Sequence, residues 1–216
     1  MKMRVKICGL TRLGDLNAAL NEGADAVGFV VGSPASPRNI ELSKAKQLMK
    51  AARLFSTTVA VTSTRDPKRI LRICSALKPT ALQLHYHTPN IIHLIRTGHP
   101  STKLILATPV LDGSSVNSAR RSSLHSDAVL ADSPSATGIG GTGLVNDWPL
   151  AARIRRSIAP HPLILAGGLT AKNVRAAIRK VKPFAVDVSS GVERSAGIKD
   201  REKISEFIMN AKETKI

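Results

Sequence analysis

The 216-residue chain has little cysteine, few aromatics, a shortage of acidic groups and no long apolar run, and each shortage removes a class of explanation. Two cysteines, Cys8 and Cys74, make neither a disulfide framework nor a zinc-ligand set, so a reducing, cytoplasmic compartment is expected. Aromatics are 3 % of the residues, too few for a base-stacking surface. The N-terminus MKMRVKICGL is basic but carries no apolar stretch long enough for a secretory signal, and no run approaches membrane-spanning length, so no membrane partner is expected. The 15 acidic residues face 32 Lys and Arg, a formal net charge of +17. Such an excess raises nucleic acid, a membrane surface or a phosphorylated small molecule as partners. The charges are scattered in pairs such as Lys68-Arg69, Arg120-Arg121 and Arg155-Arg156, with no tail-like run. Solvated helix faces explain that distribution better than a nucleic-acid groove does.

What is present is a regular alternation. Forty-three per cent apolar content supports a real core, and short β-rich runs recur from end to end: 4–8, 26–31, 57–61, 81–84, 103–107, 127–131, 162–166 and 184–188. Between them lie amphipathic stretches. The segment 11–23 places Leu13, Leu16, Ala19 and Leu20 on one face, with Thr11 as expected N-cap and Gly23 as stop. Segments 41–55 and 170–181 show the same period. The last, 200–212, has Ile204, Phe207 and Ile208 as its buried stripe. The serine-rich stretch 113–126 reads as a short or irregular helix. Cys74, inside a helical pattern, reads as core. Eight strands, each followed by a helix with short connections, predict parallel pairing in a single α/β domain over 1–216. A (β/α)8 TIM barrel fits the count, and a doubly wound open sheet is the alternative.

In such barrels the reactive groups sit where strands run into the following loops. Those positions hold Cys8, Arg38, His85 and Asp132, and glycine-rich turns follow the last three strands: GIGGTG (138–143), AGGL (166–169) and SSGV (189–192). Glycine lets backbone N–H groups converge on an anion, so three such turns on one face predict a phosphate site built from Gly141, Thr142, Gly143, Gly167, Gly168, Ser189, Ser190 and Gly191. GIGGTG comes too late in the chain to open a dinucleotide-binding fold.

The motifs VKICGLT, GADAVGFV, SPRNI, LQLH, GGTG, DW, ILAGGLTAKNV and AVDVSSGVE…GIKD occur in order from residue 5 to about residue 208. Together they resemble the phosphoribosylanthranilate isomerase family of tryptophan biosynthesis. The resemblance implies the barrel, the Amadori rearrangement of N-(5-phosphoribosyl)anthranilate, a small phosphorylated substrate, and no cofactor or metal. It further implies that Cys8 is the general base and Asp132 the general acid. Cys8 would then titrate below the free value of about 8.5, and Asp132 above its usual value of about 3.9. By the same resemblance Arg38 holds the anthranilate carboxylate. Gln83 and His85 either line the barrel mouth near the substrate or form a structural pair, and Asp187 either orients the site or serves as a structural acceptor. The chain departs from the family's pattern at Leu144 (usually lysine), at Tyr86 (usually glycine), and in strands 3 and 5, VAVTST and LILATPV. Monomer and homodimer both remain open. The alternative functions are another phosphosugar isomerase or epimerase on the same barrel, or a retired barrel that binds anionic polymers.

Overall fold

The computed structural model describes residues 2–133 and 145–215. Eight parallel strands close into a barrel in the order β1 to β8: Arg4–Ile7, Ala26–Val30, Thr57–Thr62, Ala81–Leu84, Lys103–Pro109, Ala128–Asp132, Leu163–Leu165 and Ala185–Val188. Closure comes from β1 lying beside β8 with Arg4, Val5, Lys6 and Ile7 in register with Ala185, Val186, Asp187 and Val188. The helices that follow the eight strands are α1 Leu13–Asn21, α2 Leu42–Lys50, α3 Pro67–Leu77, α4 Pro89–Gly98, α5 Ser114–Ser123, α6 Trp148–Ile158, α7 Val174–Val181 and α8 Arg201–Glu213. A 3₁₀ turn, Ser190–Val192, and a two-stranded hairpin, β9 Glu193–Ser195 with β10 Ile198–Lys199, fill the connection from β8 to α8. No described helix is long and apolar enough to cross a membrane.

Side chains alternate faces along a strand, so the barrel carries two cores. The outer one, between sheet and helices, holds the larger residues, among them Ile7, Phe29, Leu82, Leu84, Leu104 and Phe207. The inner one is lined by small or branched residues such as Val59, Val61, Ala81, Ile105, Ala128 and Ile164. Several helices start where proline and an oxygen-bearing cap coincide. Asp66 precedes Pro67 and accepts from Lys68 N–H, Thr88 precedes Pro89 and accepts from Ile91 N–H, and Asp147 accepts from Leu150 N–H. Asp200 caps α8 through Lys203 N–H, and Ile204, Phe207 and Ile208 are its buried stripe as expected.

Four local expectations are corrected. Arg12, not Thr11, is the N-cap of α1, because the Thr11 hydroxyl is drawn away to donate to Gly197 O at 2.6 Å. Leu13 is half-exposed and Asp15 takes the buried place, accepting from Lys199 N–H and from Arg12. Helix α2 stops at Lys50, since Leu54 and Phe55 meet no core and the chain turns at 53–56 to enter β3. The serine-rich α5 is a regular ten-residue helix, its small Ser115, Ala119 and Ser122 packing inward. Cys74 is fully buried in α3, and burial pushes its thiol up to about 11.

Candidate active site

Because β1 turns Val5 and Ile7 outward, the opposite parity sends Lys6 and then Cys8 into the barrel. The same step of two places Gln83 and His85 from β4, Asp132 from β6, and Asp187 and Ser189 from β8 on the inner wall. All but Lys6 line one cavity at the C-terminal mouth, with about 640 Å³ of atom-free space. Cys8, Asp132, Arg38, Gln83, His85 and Asp187 are thus brought together by the closure of the sheet.

Beneath this cavity a charged network crosses the barrel. Lys6 Nζ donates to Asp187 Oδ1 at 3.0 Å, its register neighbour, and to Gln83 Oε1 at 3.0 Å, from the far wall. Burial opposes the ammonium, but Asp187 and Cys8 outweigh it and push Lys6 up to about 12. Gln83 is oriented by that bond. Its oxygen accepts from the ammonium, so its amide nitrogen is the donor to His85 Nε2 at 3.1 Å. His85 therefore accepts at Nε2 and carries its proton on Nδ1, and burial with the nearby Lys6 charge lowers it to about 4. Gln83, His85 and Asp187 are a satisfied structural array and wall of the cavity at once.

The two strand-end titrating groups behave differently from one another. Burial raises Asp132 to about 6, helped by the Asp187 charge and opposed by Ser133 N–H, which donates to Oδ1 at 2.9 Å. An upward shift of this kind was expected. Cys8 contradicts its expectation: its thiol is pushed above the ordinary value, because burial outweighs the pull of Lys6. Asp187 adds to the rise, and Lys199 opposes it.

On the β7 and β8 side, Gly167, Gly168, Ser189, Ser190 and Gly191 all reach the same cavity. Gly167 and Gly168 hold φ of +86° and +63°, and a side chain on Gly167 would run into Ser133. Asn173 ties the turn down, accepting from Thr170 N–H at 2.8 Å and donating to Gly168 O at 2.9 Å. Among the described residues, none accepts a hydrogen bond from the N–H of Gly168, Ser190 or Gly191. Two turns lining one cavity, with N–H groups that no described residue accepts from, suit an anion. Gly141, Thr142 and Gly143 lie outside the described residues.

Arg38 reaches the cavity with its fork already engaged. Nε and Nη2 donate to Glu193 Oε1 and Oε2 at 2.8 and 2.7 Å, leaving Nη1 outside the pair. Glu193 Oε1 also accepts from Lys199 Nζ at 2.8 Å, and this nitrogen donates to Ser189 O at 3.0 Å. Lys6, Glu193, Lys199 and Asn173 were missed in the sequence. Lys6 alone had a readable signal, sharing the inward parity of Cys8; the others depend on loop closure.

The whole chain can now be set against known proteins. The family model described as PRAI: N-(5'phosphoribosyl)anthranilate (PRA) isomerase matches residues 5–210. N-(5'-phosphoribosyl)anthranilate isomerase of Halorubrum lacusprofundi is 40% identical over 210 residues, covering 96% of both chains. A crystal structure of phosphoribosyl anthranilate isomerase in complex with reduced 1-(o-carboxyphenylamino)-1-deoxyribulose 5-phosphate superposes with a TM-score of 0.82 at 37% identity, over 97% of this chain and 98% of that one. Monomers of the dimeric enzyme from Thermotoga maritima give a TM-score of 0.82 at 36% identity, with the same coverage.

Proposed function

The chain belongs to the phosphoribosylanthranilate isomerase family, and on that premise we propose how its own residues carry the reaction. It is an isomerase of tryptophan biosynthesis, converting N-(5-phosphoribosyl)anthranilate to 1-(2-carboxyphenylamino)-1-deoxyribulose 5-phosphate. Asp132, in its acid form, gives a proton to the furanose oxygen as the bond from that oxygen to C1′ breaks. The anthranilate nitrogen supplies its lone pair to C1′, and the sugar opens to a protonated Schiff base. Cys8, as thiolate, then removes the C2′ proton, whose electron pair forms the double bond between C1′ and C2′ and neutralises the nitrogen. The resulting enol reprotonates at C1′ and loses its hydroxyl proton to become the ketone, which restores the proton count.

Supporting this reading is one observation above others: Cys8 and Asp132, at the ends of β1 and β6, open onto a single cavity that Gly168, Ser190 and Gly191 also line, and among the described residues none accepts a hydrogen bond from the N–H groups of these three. The phosphate sits on those N–H groups, and Arg38 Nη1 meets the anthranilate carboxylate, a role its planar fork suits while Glu193 holds the other two nitrogens. With Asp132 titrating near 6 and Cys8 above its free value, the reactive combination of thiolate and carboxylic acid is the minor form of the pair. The protein works in the cytoplasm. It pairs as a homodimer, a reading supported by Leu54 and Phe55, which stand 89% and 97% exposed on the loop before β3. A fluorescence assay following loss of phosphoribosylanthranilate tests the acid–base assignment. Turnover should fall about a hundredfold or more in both Cys8→Ala and Asp132→Asn, and a folded variant keeping more than half of the parent rate would overturn it.

A further inference from the structure

Gly28, in the middle of β2, is on the inner face, where every other strand offers a side chain. A methyl group built there would lie 2.8 Å from Cys8 Sγ and 3.1 Å from Lys6 Cε. The bare Cα is therefore a slot that the sulfur and the lysine stem fill side by side. At the end of that stem the ammonium has three N–H groups, of which Gln83 Oε1 and Asp187 Oδ1 take two. We propose that Lys6 is the positioning residue for the catalytic thiol, its remaining N–H turned to Cys8 Sγ across Gly28 and its charge favouring the thiolate against the burial that opposes it. The inference rests on Cys8 being the base and adds what makes a buried base workable.

The charge balance around the sulfur supports this arrangement. Cys8 is buried, faced by Lys6 from its own strand, Asp187 from β8, Lys199 from β10 and Arg38 from the loop after β2, with Asp132 and neutral His85 on the opposite wall. Burial is the largest influence and disfavours thiolate; the charge of Lys6 is the strongest influence the other way. Asp187 plays two opposed parts. It anchors the ammonium, and its own negative charge disfavours the thiolate. The two halves of the pair therefore act on Cys8 with opposite signs.

Peptide-resolved alkylation of the free protein by iodoacetamide, a neutral reagent, measures thiolate at Cys8 without requiring turnover. At about pH 8, Lys6→Met should slow Cys8 modification tenfold or more, the equivalent of one pKa unit, while Asp187→Asn should quicken it. The alkylation pH profile should shift alkaline in the first variant and acid in the second. If Lys6→Met does not fold, Lys6→Gln, which removes the charge and keeps a polar group toward Gln83 and Asp187, should show the same slowing, and an unslowed rate there overturns the role. Changes of the same sign in both variants, changes under twofold, or an unaltered or slowed rate in Asp187→Asn would overturn the role of Lys6. Failure of the acid–base reading would show separately, as turnover surviving in Cys8→Ala.

Discussion

Asp132→Asn tests the site through stability as well as rate. Asp132 is nearly buried, and its folded-state pKa is raised from 3.8 to about 6. An acid with a raised folded value binds its proton more tightly in the native state, so native protein holds more protons than unfolded protein between about pH 4 and about pH 6. Stability therefore falls as pH rises through that window and stays lowered above it. Roughly two units at about 1.4 kcal/mol each put the cost near 3 kcal/mol at neutral pH. Asparagine keeps the acceptor for Ser133 N–H and carries no charge to desolvate or to repel Asp187. The variant should thus be about 2–3 kcal/mol more stable than the parent at about pH 7.5, with the advantage vanishing near pH 4. Its kcat should fall about a hundred- to ten-thousand-fold while product-analogue affinity changes little, as expected of a lost proton donor. Urea unfolding at several pH values, alongside the turnover assay, checks both halves. If the two stability curves run parallel between about pH 4 and about pH 7.5, Asp132 is not strained by burial and the reasoning fails.

Three further variants probe the site. Cys8→Ala should cut kcat by about a hundred- to ten-thousand-fold with little change in unfolding midpoint, and the pH–rate profile of the parent should be bell-shaped, with apparent values that belong to the Cys8–Asp132 pair. Glu193→Gln should loosen the Arg38 fork and raise KM about tenfold with kcat within about threefold, a split read from steady-state kinetics. Although burial opposes it, Arg38 and Lys199 together hold the Glu193 carboxyl below its ordinary value. The stability it contributes is therefore present above the unfolded value and lost as pH falls through the folded one, an acid-side loss that the Gln variant should not show. Gly167→Ala, which adds a methyl group against Ser133 at a φ of +86°, should cost about 2 kcal/mol or more in urea unfolding; an unchanged midpoint would mean the β7 turn relaxes freely.

How far the sequence could be read depended on how local each signal was. The eight β-rich runs and the buried stripe Ile204–Phe207–Ile208 rest on periods of a few residues, and all of them are present in the folded chain. Cys8, Asp132, Gly168 and Ser190 were legible for the same reason, because strand ends in a parallel barrel gather at one mouth whatever the details of packing. Errors came where a distant partner competes with a local preference. Thr11 leaves its helix cap for Gly197, Asp15 displaces Leu13 from the interior to meet Lys199, and Glu193 takes two nitrogens of Arg38 from the far end of the chain. The ionisation of the site was the least legible property. A free-thiol value for Cys8 follows from the residue alone, but its rise and that of Asp132 are set by how completely the closed barrel removes water, and by which charges closure brings near. Lys6 becomes the neighbour of Asp187 only when β1 docks on β8, and of Gln83 only across the finished barrel. Parity along each strand was determined by the sequence itself; which inward groups meet, and with what charge, was decided only by the tertiary structure, because solvation and Coulomb interaction depend on distances through space and not along the chain.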